Sequence, residues 1–420
     1  MFLFYQLIIS LILFFSPIII IFRIVKSKED RYRFIEKFSI HTKKKTNGKL
    51  IWFHGASVGE VLSIIPLIEK LEKNNSIGKI LVTSTTLSSS KVLNKYKFKK
   101  TVHQFFPVDS IFFNKKFLNY WKPSIAIFIE SEIWPNMITS IKKKNIPLIL
   151  LNARISSKTF NNWRMLNNFS NFLFSQFDLC LAQSIQTKKY LSSLGSKKIV
   201  FHGNLKFSES NYDNKLITNK KFSFNFKNRK IWCASSTHPN EELDCAKVHQ
   251  NLISKYKNIL TIIIPRHIHR IERIFSSLKD LGLKVQVKHE NDNIDNSVDV
   301  VLVNYYGAVS KYLKYFKQIF IGKSLIKKFQ NTGGQNPIDA VKMGCYIYHG
   351  PYVYNFKDIY EYLDDSKLSE NIKTPQSLAD NLLEKFKVDY KPNDEKIKEL
   401  AIYSDKIFNN VVEQYSKFVK

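Results

Sequence analysis

Apolar and polar positions along the chain fall into distinct regimes. Residues 2–25 read FLFYQLIISLILFFSPIIIIFRIV, an apolar run interrupted only by Gln6, two serines, Pro17 and Arg23, and about 20 such residues suffice to cross a bilayer. From Lys49 onward, short apolar runs alternate with longer stretches of helical period: LIWF at 50–53, KILVTS at 79–84, SIAIFIE at 124–130, PLILLNA at 147–153 and DLCLAQS at 178–184. Short continuous runs of this kind are expected of parallel strands buried on both faces, with crossover helices between them. Residues 208–230 are polar and rich in Asn and Lys and read as a linker. The alternation then resumes with KIWCASS at 230–236, NILTIIIP at 258–265, LKVQVK at 283–288, DVVLVN at 299–304, QIFIG at 318–322 and CYIYHG at 345–350, and residues 394–420 read as a terminal helix. The pattern predicts an α/β protein with a membrane segment at 1–25 and two doubly wound domains, 26–207 and 231–420, joined by the linker at 208–230. Ligands of such folds bind beyond the carboxyl ends of the strands, so a cleft between the domains is expected.

Composition narrows the function classes. The chain has 420 residues, 44% hydrophobic and 14% aromatic, too apolar for a disordered chain. A net charge of +30 attracts anions, whether nucleic acid, acidic lipid or a phosphorylated substrate. Only nine of the 65 basic residues are arginine, and no finger, RNP or arginine-rich signature accompanies them, so nucleic acid is not an expected partner. Cys180, Cys233, Cys245 and Cys345 never approach C-x-x-C spacing, which signals neither a zinc ribbon nor a disulfide framework. The apolar segment lacks the positive start and small-residue cleavage site of a signal peptide. Arg23, Lys26, Lys28, Arg31 and Arg33 follow it closely, and such residues tend to stay cytoplasmic. Pro17 leaves open a second geometry, a helix lying in the interface. Either way the body is expected against anionic lipid.

Candidate chemistry begins at residues 51–71, IWFHGASVGEVLSIIPLIEKL, where a strand passes through Gly55 and Gly59 into an amphipathic helix. Glu60 is thereby delivered to the strand's carboxyl end, where a general base is useful. Ser57-x-x-Glu60 fits a capping box equally well. Gly59 favours the catalytic alternative, because it strips bulk from beside the carboxylate. His54 reads as a packed, hydrogen-bonded histidine.

From here the sequence resembles the 3-deoxy-D-manno-octulosonic acid (Kdo) transferases that act on the lipid A precursor. The resemblance is carried in order by HGASVGEVLSIIPLI at 54–68, ESEIWPNMI at 130–138, LNARIS at 151–156, GNLKF at 203–207, ASSTHPNEE at 234–242, PRHIHR at 265–270, GGQNPIDA at 333–340 and GPYVYNFKDI at 350–359. It implies a GT-B fold of two Rossmann-like domains, the first binding the acceptor and the second the CMP-sugar. It further implies an inverting, metal-independent glycosyltransferase without cofactor, which moves Kdo from CMP-Kdo to a lipid A precursor at the cytoplasmic face of the inner membrane. Glu60, the glutamate of the SVGE motif, is implied as the base. Ser57, Gly59, Glu130, Glu132 and Arg154 are implied on the acceptor side. Lys206, Ser235, Ser236 and Thr237 are implied near the nucleotide, and Asn355 and Lys357 facing the donor.

An anion-binding constellation is legible beside the resemblance. Pro265-Arg266-His267 follows a strand, and Arg266, closest to its end, suits a phosphate fork. Arg270 and Arg273 share its helical face if the helix starts early enough, and otherwise read as a solvated face. Gly333, Gly334, Asn336 and Pro337 precede a helix whose first turn carries Asp339, and a helix start favours anions. The chain departs from the family at several points: Asp339 replaces a glutamate, Asn304 and Ala308 stand where acids are usual, and Lys323 occupies a position where a second glycine is common. Two further readings remain: another membrane-anchored GT-B glycosyltransferase with a nucleoside-diphosphate donor, or a non-catalytic binder of anionic glycolipid. No D-x-D of a metal-dependent transferase occurs, Glu130-x-Glu132 being the nearest approach.

Overall fold

The computed structural model describes residues 1–45, 48–208, 229–305, 307–388 and 390–418. Two compact units result, Met1–Ser210 with Ser404–Lys420, and Asn211–Tyr403. Among the described residues each unit holds one parallel seven-stranded sheet. The first is built from β1 (Lys49–His54), β2 (Ile77–Ser84), β3 (Thr101–Phe105), β4 (Ile125–Ile129), β5 (Leu148–Ala153), β6 (Leu179–Ala182) and β7 (Ile199–Phe201). The second is built from β8 (Lys230–Thr237), β9 (Ile259–Pro265), β10 (Val285–Lys288), β11 (Val300–Val303), β12 (Gln318–Ile321), β13 (Tyr346–His349) and β14 (Ser369–Asn371). Their spatial orders are β3-β2-β1-β4-β5-β6-β7 and β10-β11-β9-β8-β12-β13-β14. The winding reverses between β1 and β4 and between β8 and β12, the switch points at which doubly wound sheets open space for ligands.

Burial on both faces explains the continuous apolar runs. In β1, Leu50 and Trp52 enter one core with Phe117, Trp121 and Phe128, while Ile51 and Phe53 enter the opposite core with Ile65, Ile68 and Ile127. Three strands escaped the apolar pattern. Strand β3 carries buried His103 and Gln104, which hydrogen-bond with Ser84 Oγ (2.8 Å) and Trp121 Nε1 (2.9 Å), so polar residues occupy core positions there. Strands β7 and β14 are three-residue edge strands, too short to show a period.

The N-terminal apolar segment is one helix, Phe2–Val25, continuous through Pro17. Ile9, Ser16 and Ile20 are buried and Tyr5 and Leu13 half-buried, a stripe at helical spacing, while Leu3, Phe14, Ile18 and Ile21 are among the exposed residues on its other faces. Near its start Tyr5 Oη donates to Asp109 Oδ2 (2.7 Å). Near its end Arg23 pairs with buried Glu29 (3.0 Å), which Lys37 also meets (2.5 Å).

The second domain was expected to run from 231 to 420. The terminal helix Asp394–Ser416 instead passes into the first unit from Ser404. Val411 and Tyr415 complete the core around Ile51 and Leu205, and Ser404 exchanges hydrogen bonds with Phe207 O (2.9 Å) and Ser208 Oγ (2.7 Å). The boundary moved because apolar positions on that helix are needed to cover the first sheet. The linker expected at 208–230 lies almost wholly outside the described residues.

Candidate functional site

At the carboxyl end of β1 the chain turns through Gly55 into the helix Val58–Ser63, and the capping box is fully formed. Glu60 N–H donates to Ser57 Oγ (3.3 Å), and Glu60 Oε2 accepts from Ala56 N–H (2.6 Å). Ser57, itself exposed, donates its hydroxyl to Glu60 Oε1 (3.0 Å). Capping and a carboxylate at the strand end are therefore one arrangement. Burial, then the negative charges of Glu132 and Glu130, push the Glu60 carboxyl up to about 7. The glycine that makes room for it is Gly55 rather than Gly59. A Cβ at Gly55 would lie 3.0 Å from Glu60 Cβ and 3.0 Å from Ile129 Cδ1, whereas one at Gly59 would point into open space.

The neighbouring acids are engaged. Glu130 follows β4 in a left-handed conformation (φ 55°), and its buried carboxylate pairs with buried Lys206 (2.7 Å). Lys206, implied near the nucleotide, is thus occupied within the first unit. Glu132 accepts from Trp134 Nε1 (2.7 Å) and meets His54 Nε2 (3.1 Å). His54 is fully buried against Phe106 and bonds Thr83 (3.0 Å), a packed residue as its sequence context implied. Arg154 joins the same turn through its backbone: its N–H donates to Glu130 O (3.2 Å) and its carbonyl accepts from Ser131 Oγ (2.7 Å).

In the second unit the carboxyl ends of β9, β8 and β12 lie side by side. Pro265 is buried, whereas Arg266 and His267 are exposed; Arg266 N–H donates to Thr237 O (3.0 Å). The shared arginine face does not form, because the α-helix starts only at Ile271. Arg270 is not solvated either: it grips Glu242 through its two terminal guanidinium nitrogens (3.0 and 2.9 Å), and Thr237 Oγ1 donates to the same carboxylate (3.0 Å). Arg273 is exposed, and Ser235 and Thr237 are buried.

The GGQNP loop is held by backbone contacts. A Cβ on Gly333 would fall 1.9 Å from Tyr352 O, so only glycine fits there, and Gly334 takes φ 90°. Asn355 fastens this loop, its N–H donating to Gly333 O (3.0 Å) and its amide to Thr332 O (2.8 Å). Lys357 is exposed and pairs with Glu361 (3.4 Å). The helix after the loop, Ile338–Lys342, has five residues. Asn336 Oδ1 already accepts its first N–H (3.0 Å) and Asp339 sits in its first turn, so the expected anion site at its start is not supported: the dipole is short and an acid answers it.

Three residues that the sequence reading did not single out shape this region. Glu241, fully buried, accepts backbone N–H from Lys323 (2.6 Å), Ser324 (2.9 Å), Leu325 (3.1 Å) and His238 (2.9 Å). Glu242 holds Arg270. Burial foremost, with Lys323, His267 and Arg266 nearby, drives the His238 imidazole down to about 4, so it is neutral at physiological pH. The available signal was the pair of acids opening a helix after a strand in ASSTHPNEE.

Two doubly wound parallel sheets, each opening its carboxyl-end loops at a switch point, are the arrangement of the GT-B fold. A family model for 3-deoxy-D-manno-octulosonic-acid transferase (kdotransferase) matches residues 29–209. The Rickettsia bellii 3-deoxy-D-manno-octulosonic acid transferase is 33% identical over 371 residues, covering 87% of this chain and 86% of the relative. The Haemophilus influenzae protein of that name is 28% identical, covering 84% of each. Among solved structures, a UDP-GlcNAc 2-epimerase from Neisseria meningitidis shares the fold, with a TM-score of 0.58 and 14% identity over 88% of this chain and 99% of that one. The chain belongs to the 3-deoxy-D-manno-octulosonic acid transferase family.

Proposed function

We propose that this protein transfers Kdo from CMP-Kdo to a hydroxyl of a lipid A precursor, with inversion, at the cytoplasmic face of the inner membrane. Glu60 takes the proton of the acceptor hydroxyl. The freed oxygen forms the new bond to the anomeric carbon as the bond from that carbon to the CMP phosphate oxygen breaks, the one-carboxylate logic of inverting sugar chemistry. Arg266 receives the departing phosphate, whose growing charge is what cationic groups stabilise in such steps. Ser57, Glu130, Glu132 and Arg154 surround the acceptor side. The observation that carries the reading is Glu60 itself, a carboxyl at the end of β1 pushed up to about 7, near the operating pH a general base requires.

The test is incubation of the full chain in detergent with CMP-Kdo and a tetraacylated lipid A precursor, with and without EDTA, followed by mass spectrometry. A Kdo-bearing product in both conditions is expected. Transfer from a UDP-sugar in place of CMP-Kdo would overturn the donor assignment, and loss of product in EDTA would overturn the metal-free step.

A further inference from the structure

Lys323 has a backbone conformation suited to glycine, φ 60°. A lysine kept there carries strain, and strain of this kind collects where a side chain has a task. Its surroundings indicate the task. Gly322, one residue earlier, approaches the end of β8 so closely that a Cβ would lie 2.7 Å from Thr237 Cα. One oxygen, Glu241 Oε2, accepts both the Lys323 N–H (2.6 Å) and the His238 N–H (2.9 Å). Arg266 is tied to the same turn through Thr237 O (3.0 Å), and the His238 and His267 rings lie 5.4 Å apart. Lys323 O in turn accepts the Gly334 N–H (2.8 Å). Lys323, Arg266, His238 and His267 therefore spring from one knot of backbone at the switch point of the second sheet.

The carboxylate of Glu241 faces four backbone N–H groups, and that of Glu242 is gripped by Arg270 and Thr237. The side chains of Lys323 and Arg266 form no ion pair among the described residues. Burial and the proximity of Arg266 lower the Lys323 ammonium despite the opposing charge of Glu241, the mark of cations held together at a cost. Two cations without an ion-pair partner among the described residues suit the phosphate of a CMP-sugar, a diester monoanion that becomes a monoester dianion as CMP departs.

We propose that Lys323 is a second donor-phosphate ligand of this chain, working with Arg266 from a position where a glycine would supply only backbone. The proposal rests on the reading of the second unit as the CMP-sugar site. The full chain is titrated calorimetrically with CMP, cytidine, UDP and inorganic phosphate, as wild type and as Lys323→Gly, Lys323→Met and Lys323→Arg. Loss of CMP affinity by about tenfold or more is expected in the Gly and Met variants, the scale of one charge-assisted hydrogen bond. Cytidine binding stays constant, and the Arg variant stays within a few-fold of wild type. Glycine accepts φ 60° freely, so an unchanged or higher melting temperature of Lys323→Gly separates lost binding from lost folding. Equal CMP affinity in Lys323→Gly and wild type overturns the proposal. A wild type that prefers UDP, but loses it on Lys323→Gly, removes the CMP reading and keeps Lys323 as a phosphate ligand. A wild type that binds none of these anions overturns both.

Discussion

Replacing Glu60 by glutamine separates the two roles that this side chain combines. Glutamine is an accepted capping-box residue. Its carbonyl oxygen can accept the Ala56 N–H now 2.6 Å from Oε2, and its amide can reach Ser57 Oγ, now 3.0 Å from Oε1. The cap then changes stability by no more than about 1 kcal/mol. What disappears is the proton acceptor, so turnover should fall by about 10²–10⁴-fold, roughly 3–5 kcal/mol of barrier. The wild-type rate should rise with pH through about 7 as the carboxyl ionises, and the residual rate of the variant should lack that rise. Stability has the opposite sign. A carboxyl held above its unfolded value of 4.5 stabilises the fold below that pH, and this contribution is lost as pH climbs through about 7, an amount of order 3 kcal/mol or less. Urea denaturation at pH 5 and pH 8.5 should therefore show wild type losing more stability than Glu60→Gln over that interval. The assays are product mass spectrometry under single-turnover conditions and the paired denaturation curves. Turnover of the variant within fivefold of wild type would refute the base, and parallel losses of stability would refute the electrostatic account of its ionisation.

Gly55→Ala should cost about 1–3 kcal/mol and reduce turnover, since its Cβ meets Glu60 and Ile129 at 3.0 Å, whereas Gly59→Ala, facing open space in a helix, should be neutral or stabilising by up to about 1 kcal/mol; thermal melts in which the two variants behave alike would contradict this. Glu241→Ala strips the acceptor from four backbone N–H groups and should lower stability by about 3 kcal/mol or more, with chemical denaturation as the check. Arg266→Ala should weaken CMP binding about tenfold without moving the melting temperature; an unchanged dissociation constant by calorimetry removes its assigned role. Asp109→Ala should destabilise by about 2–4 kcal/mol, because its carboxylate also accepts the Asn136 and Met137 N–H groups (3.0 and 2.7 Å) and Asn114 Nδ2 (2.7 Å).

The sequence disclosed most of the architecture because parallel strands covered on both faces leave apolar runs that nothing else in this chain imitates. It was silent where polar side chains hydrogen-bond inside the core, as in β3, and where an edge strand is only three residues long. It located Glu60 through glycine and serine spacing but chose the wrong glycine, since which Cβ position meets the carboxylate is a matter of three-dimensional approach. For Arg270, spacing alone could not reveal Glu242 as its partner, 28 residues away in the chain. Lys323 stood out in the resemblance as a departure, and its left-handed backbone supplies the physical reason that glycine suits the site.

The N-terminal helix meets a distant part of the first unit near its start, where Tyr5 donates to Asp109, whereas Arg23 near its end pairs with Glu29, six residues further along the chain. The start of the rod is thus fastened to a distant part of its own unit. Removing the Tyr5 hydroxyl should therefore loosen the start of the helix, read as faster proteolysis there, while the turn at Arg23 keeps its pairing.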